Sequence, residues 1–179
     1  MKAVLSMGWQ LVRFRATPSD LPYQPGSVLP LMLLNLLLSL VVQLLADSSM
    51  EKPVVQLSAL ALVVEAGWLW LLLQRRGWAN RWVQGYSALV LIDTFITLMA
   101  APIALLLLTG DGLQVIVVVL QLVMTLWSLT ARAFVYQETL GVPRWQGVLL
   151  ALAPLFVTML ISLVLFPDLF PAPPVPQGN

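Results

Sequence analysis

Five runs of about twenty apolar residues, separated by short stretches rich in turn formers, leave this chain few ways to fold. They lie at 27–46, 54–74, 86–109, 113–136 and 145–166. At a rise of ~1.5 Å per residue, each is long enough as a helix to cross a hydrocarbon layer ~30 Å thick. The expected fold is all-α: a polytopic membrane helix bundle of five transmembrane helices, preceded by an interfacial amphipathic helix. Composition agrees. Of 179 residues, 60% are hydrophobic and 9% are charged, too few charges to keep a soluble domain dispersed.

The boundaries between runs carry helix-start and turn chemistry. Pro53 and Pro143 stand at helix starts, Gly77 and Gly85 lie between the second and third runs, and "TGDG" at 109–112 reads as a tight turn. Residues 1–16 place Lys2, Ser6, Gln10 and Arg13 on one helical face and Val4, Met7, Leu11 and Phe14 away from them. That pattern predicts an amphipathic helix lying in the membrane interface. The Pro-rich stretch 17–26 then turns the chain into the five-helix domain at 27–166, and the prolines of 167–179 predict an extended tail.

Basic residues set the orientation. Lys2, Arg13, Arg15, Arg75, Arg76, Arg81, Arg132 and Arg144 fall on the side of the N-terminus and the even-numbered connections, and only Lys52 falls on the other. Cationic residues stay on the cytoplasmic side during insertion, so the N-terminus is expected to be cytoplasmic and the C-terminus extracytoplasmic. Trp70, Trp78, Trp82, Tyr86, Tyr136 and Trp145 gather at the same boundary, the depth that aromatic rings with one polar atom prefer.

Polar residues inside the runs recur at steps of three or four. They are Asn35, Ser39 and Gln43; Ser58 and Glu65, with Ala61 between; Asp93 and Thr97; Gln121, Thr125, Ser128 and Arg132; and Thr158 and Ser162. Such steps share a helix face, so each span has one side suited to the bundle interior. Glu65 and Asp93 both lie ~12–15 Å from the basic boundary by helical rise, and antiparallel neighbours would let them meet each other or converge with Gln121. A central acid costs about 2.5–3.5 kcal/mol on insertion and needs either protonation or a basic partner. Arg132, the one basic residue within a span, sits nearer the boundary; it either snorkels toward headgroups or forms a salt bridge. The candidate intramembrane polar site is therefore Glu65, Asp93, Gln121, Arg132, Asn35 and Gln43. Its acids serve either to fix helix packing or to bind a proton or cation.

Other functional classes fit poorly. A net charge of +1 lacks the clustered positive face of a nucleic-acid binder. With no Cys and no His, the commonest transition-metal ligands and the usual neutral-pH base are absent, and no cofactor is expected. "GYSA" at 85–88 matches a short serine-protease pattern, yet Ser87 has no histidine base, and "LTGD" at 108–111 lacks the first glycine of the intramembrane aspartyl-protease pattern. An enzyme is not expected.

The five-span layout, the entry segment "SDLPYQPG" (19–26) and the "GYS" that opens the third run resemble the Yip family of small membrane proteins. Gly85 and Tyr86 match a family element directly, while Asp20, Leu21, Tyr23, Pro25 and Gly26 supply the residue types of the family's entry motif in another order. The resemblance implies a non-enzymatic protein acting through contacts with itself or another membrane component. The compact N-terminus is similar to the bacterial members, which implies a bacterial inner membrane. On that reading Arg75, Arg76, Arg81, Trp78 and Trp82, with the N-terminal helix, form the contact surface. The alternative is a small transporter or channel in which Glu65 and Asp93 bind a proton or cation.

Overall fold

In a computed structural model, residues 2–45, 53–106 and 114–167 are described. They form six helices and, among the described residues, no strand: α1 (Lys2–Val12), α2 (Val28–Leu45), α3 (Val54–Arg75), α4 (Trp82–Leu106), α5 (Gln114–Leu140) and α6 (Arg144–Leu165). The last five are long and apolar enough to cross a membrane. The expected all-α bundle of five spanning helices is therefore what the chain builds. The turn expected at 109–112, Lys52, and the tail beyond Pro167 lie outside the described residues.

Helix α4 is the centre of the bundle and packs against α1, α2, α3 and α5; α3 also meets α2 and α6, and α5 meets α6. Every residue from Gly85 to Ile92 is buried, the mark of a helix surrounded on all sides. Neighbours approach closely where side chains are smallest. A Cβ on Gly85 would come within 2.8 Å of Thr139 and 3.2 Å of Leu69, and one on Gly147 within 2.5 Å of the Ala133 carbonyl oxygen. Because apolar surface gains little by leaving lipid for protein, such close packing and interhelical hydrogen bonds hold a membrane bundle together. Three indoles donate to backbone carbonyls of neighbouring helices: Trp68 to Leu150, Trp82 to Ala66 and Trp127 to Val12, at 3.0–3.1 Å.

Two boundaries differ from the expected ones. Gly85 lies inside α4, which starts at Trp82 directly after a 3₁₀ turn at Ala79–Arg81; the glycine serves packing, and Gly77, at φ 72°, makes the turn. Helix α5 runs on through "QETL" to Leu140 and stops at Gly141, whose φ of 61° is the left-handed conformation that ends helices. Pro53 and Pro143 cap α3 and α6 as expected.

Helix α1 keeps most of the amphipathic pattern expected of it: Val4 and Leu11 are buried and Ser6, Gln10 and Arg13 are exposed, but Phe14, expected on the apolar side, is exposed in the turn after the helix ends at Val12. Its apolar side docks on α4, with Gly8 against Leu91 and Phe95, so the helix leans along the bundle wall from the end that carries Arg81 and Arg144. In the turn that follows, the Thr17 backbone N–H and hydroxyl donate to Asp20 Oδ2 at 2.7 and 2.9 Å. These bonds hold the exposed Asp20 carboxyl below the usual carboxylate range, so its support of the turn is present at neutral pH and fades as acid protonates it. Gln84 then ties the turn to α4 by donating to the Leu21 carbonyl at 2.7 Å.

Candidate functional site

The buried face of α3 reads Leu62, Glu65, Leu69 and Leu73, steps of three and four that place the acid in the same row as three core leucines. On α4, Asp93 follows the fully enclosed segment ending at Ile92. On α5, Arg132 stands two turns before the helix end at Leu140 and so lies ~12 Å from it, close to the depth of both acids. The three side chains meet. Arg132 Nη1 donates to Glu65 Oε1 at 2.8 Å and Nη2 donates to Asp93 Oδ1 at 2.5 Å. Side-chain exposure is 2% for Glu65, 16% for Asp93 and 13% for Arg132, so the ion pairs are screened from solvent by the bundle itself.

This geometry selects between the two compensations the acids require: a basic partner is present, and it is one guanidinium shared by two carboxylates. The planar fork of arginine reaches two acceptors at once, which a lysine ammonium does less well. With all three ionised, the set carries one net negative charge, and a single added proton would bring it to zero. Burial of an unbalanced charge is expensive, so the set is suited to a proton or a small cationic group.

Around the triad the polar stripes converge. A cavity of about 230 Å³ is lined by Asn35 and Ser39 of α2, Ser58 of α3, Asp93 and Thr97 of α4, and Ser128 and Arg132 of α5. The buried Asn35 amide donates to Thr94 Oγ1 at 3.3 Å, which links α2 to α4 beside the acid. A second, mainly apolar cavity of about 450 Å³ lies between α4, α5 and α6, and Ile96, Ser128 and Arg132 line both. Arg132 thus stands at the partition between a polar and an apolar space.

Other expected site residues fall elsewhere. Gln121 does not join the acids; it is exposed three turns from Arg132 and lines the larger cavity with Thr125. Gln43 is buried on α2, two turns beyond Asn35 and on the same face. Within the basic connection, Arg75, Arg76 and Arg81 are exposed, but their neighbours pack within the chain. The Arg76 and Arg81 guanidinium groups lie 5.9 and 4.7 Å from the Trp78 ring centre, Arg76 also donates to the Leu140 carbonyl, and Trp82 stacks on Tyr86 at 5.1 Å.

Tyr86 and Tyr136, expected at the membrane boundary with the tryptophans, are instead fully buried. Tyr86 donates to the Leu62 carbonyl at 2.9 Å, one turn from Glu65. Tyr136 lies one turn from Arg132 on α5, and among the described residues its hydroxyl finds no hydrogen-bond partner; nor do those of Ser87 and Thr139. Thr139 also lines a polar pocket of about 210 Å³ at the basic end, with Arg81, Gln84 and Glu138. Thr94 and Thr139 stand in or beside apolar or boundary stretches, where a single hydroxyl makes no stripe, and Tyr136 reads in the sequence as a boundary aromatic rather than a site residue. Helical spacing from Arg132 to Tyr136 and Thr139 was the available signal.

No family model matches the chain, and neither a curated protein nor a solved structure is found similar to it. Among the described residues, no three His, Cys, Asp or Glu side chains gather as metal ligands would.

Proposed function

We propose that this integral membrane protein carries protons, with Glu65 and Asp93 as the exchanging carboxylates and Arg132 as the fixed charge between them. The observation that supports this most is the shared guanidinium: one positive charge facing two acids at one depth leaves room for one proton's worth of charge. A metal cation fits less well, because Arg132 already occupies the position between the acids. A proton that bonds to Asp93 turns its carboxylate into an acid and leaves Arg132 paired with Glu65 alone. Loss of that proton restores the double pairing.

The hydroxyls of Thr139 and Tyr136, without a partner among the described residues, support a route, since they follow one face of α5 from the pocket at the basic end toward Arg132. By the distribution of Lys and Arg that end is cytoplasmic, and the Yip-like layout favours a bacterial inner membrane as the setting. A role through contacts with itself or another membrane component keeps Arg75 and Arg81 as its exposed surface, because Trp78 and Trp82 pack within the chain.

The test is the decay of an imposed pH gradient in liposomes holding a trapped pH dye. Wild type is expected to dissipate the gradient faster than protein-free liposomes, Glu65→Gln to fall back to the protein-free rate, and Tyr136→Phe to slow it at least about tenfold, the scale of one positioned proton-transfer group. Wild-type liposomes that match protein-free ones, or Glu65→Gln that matches wild type, would overturn the proposal. Equal rates for Tyr136→Phe and wild type would remove the route alone.

A further inference from the structure

A groove of about 470 Å³ runs between α5 and α6 near their connection, apart from the acid site, and Phe14 closes it from the turn after α1. Its inner wall is apolar: Phe134, Ala133 and Val148, with the Phe14 ring set edge-on to Phe134 at 5.6 Å. Its polar lining is Gln137, Thr130 and the exposed Arg144. Phe14 is the one non-glycine residue among those described with a positive φ, 57°, a conformation that costs a bulky residue energy and that holds its ring in this wall. The same turn exposes Arg13 and Arg15 on either side of Phe14 in the chain. Glu138, the neighbouring acid, accepts a hydrogen bond from Gln137 at 3.0 Å and lines the separate pocket with Arg81 and Gln84.

An apolar slot that opens beside Arg144, in a region carrying Arg13 and Arg15, has the chemistry of a membrane lipid held by both of its parts. We infer that this groove is a binding site for a phospholipid with an anionic headgroup: an acyl chain lies against Phe134, Ala133 and Val148, and the phosphate meets Arg144. The tryptophan beside it, Trp145, is exposed, as expected of a ring at headgroup depth. A basic pocket between spanning helices on the cytoplasmic side suits such lipids, and arginine pairs with phosphate through two parallel donors. The site does not depend on proton transport, because none of its lining residues lines the cavity at Asp93 or pairs with either acid.

Native mass spectrometry of the detergent-purified full chain, titrated in turn with phosphatidylglycerol and phosphatidylcholine of the same acyl composition, tests the assignment. Wild type should retain phosphatidylglycerol at least about fivefold more strongly, the weight of one surface arginine toward an anionic lipid. Arg144→Gln should abolish the preference, and Arg75→Gln, on the other basic connection, should keep it. Val148→Trp, which fills the slot, should lower retention of both lipids. Equal retention of the two lipids by wild type, or a preference that survives Arg144→Gln, would overturn the inference.

Discussion

Arg132→Met is expected to destabilise the folded protein by about 3–5 kcal/mol, because it strands the buried Glu65 and the mostly buried Asp93 carboxylates without a counter-ion. Removing one acid is milder, since Arg132 keeps the other. The sign can be separated from simple loss of packing by combining the changes. Arg132→Met with Glu65→Gln and Asp93→Asn removes all three charges, and the triple variant should recover most of the stability lost by the single one. Reversible unfolding in mixed micelles, followed by helical circular dichroism, measures both. If the triple variant were no more stable than Arg132→Met, the charges would not be what holds the three helices together.

Gly147→Leu should cost at least about 1–3 kcal/mol, the range for overpacking a close contact, and should separate α5 from α6. The obstacle is backbone rather than a movable side chain: a Cβ there would stand 2.5 Å from the Ala133 carbonyl oxygen, so a helix has to shift. Gly67 is the natural comparison. It lies in α3, is exposed, and has nothing within 4 Å of its added Cβ, so Gly67→Leu should leave stability unchanged or raise it slightly. Equal unfolding midpoints for the two variants would contradict the packing at Gly147.

The five helices and most of their polar faces were legible in the sequence because lipid enforces two strong patterns, a fixed apolar length and a one-sided distribution of polar groups; Gln121 and Thr125, exposed on α5, depart from the second. Asn35, Ser39 and Gln43 are buried as their spacing foretold. The pairing of the acids was less legible, for a particular reason. With the fourth run ended at 136, Arg132 falls one turn from the boundary and reads as a snorkelling residue; with α5 continuing to Leu140, the same residue reaches the depth of Glu65 and Asp93. The polar "QETL" concealed that continuation, because its helical state comes from packing of Thr139 and Leu140 rather than from hydropathy. The central position of α4 was hidden similarly. No pattern in Gly85–Ile92 says how many neighbours surround it, and Gly85 resembles a turn former until Thr139 is seen against it.

The central claim is that one guanidinium bridges two acids inside the membrane. Solid-state NMR of the protein in bilayers, with arginine side-chain ¹⁵N and Asp and Glu carboxyl ¹³C labels, measures it directly, and Arg132→Lys identifies the signal. The account predicts strong dipolar coupling from Arg132 to one Glu and one Asp carboxyl at once, each lost in the matching Glu65→Gln or Asp93→Asn sample. An Arg132 resonance coupled to neither carboxyl would contradict it.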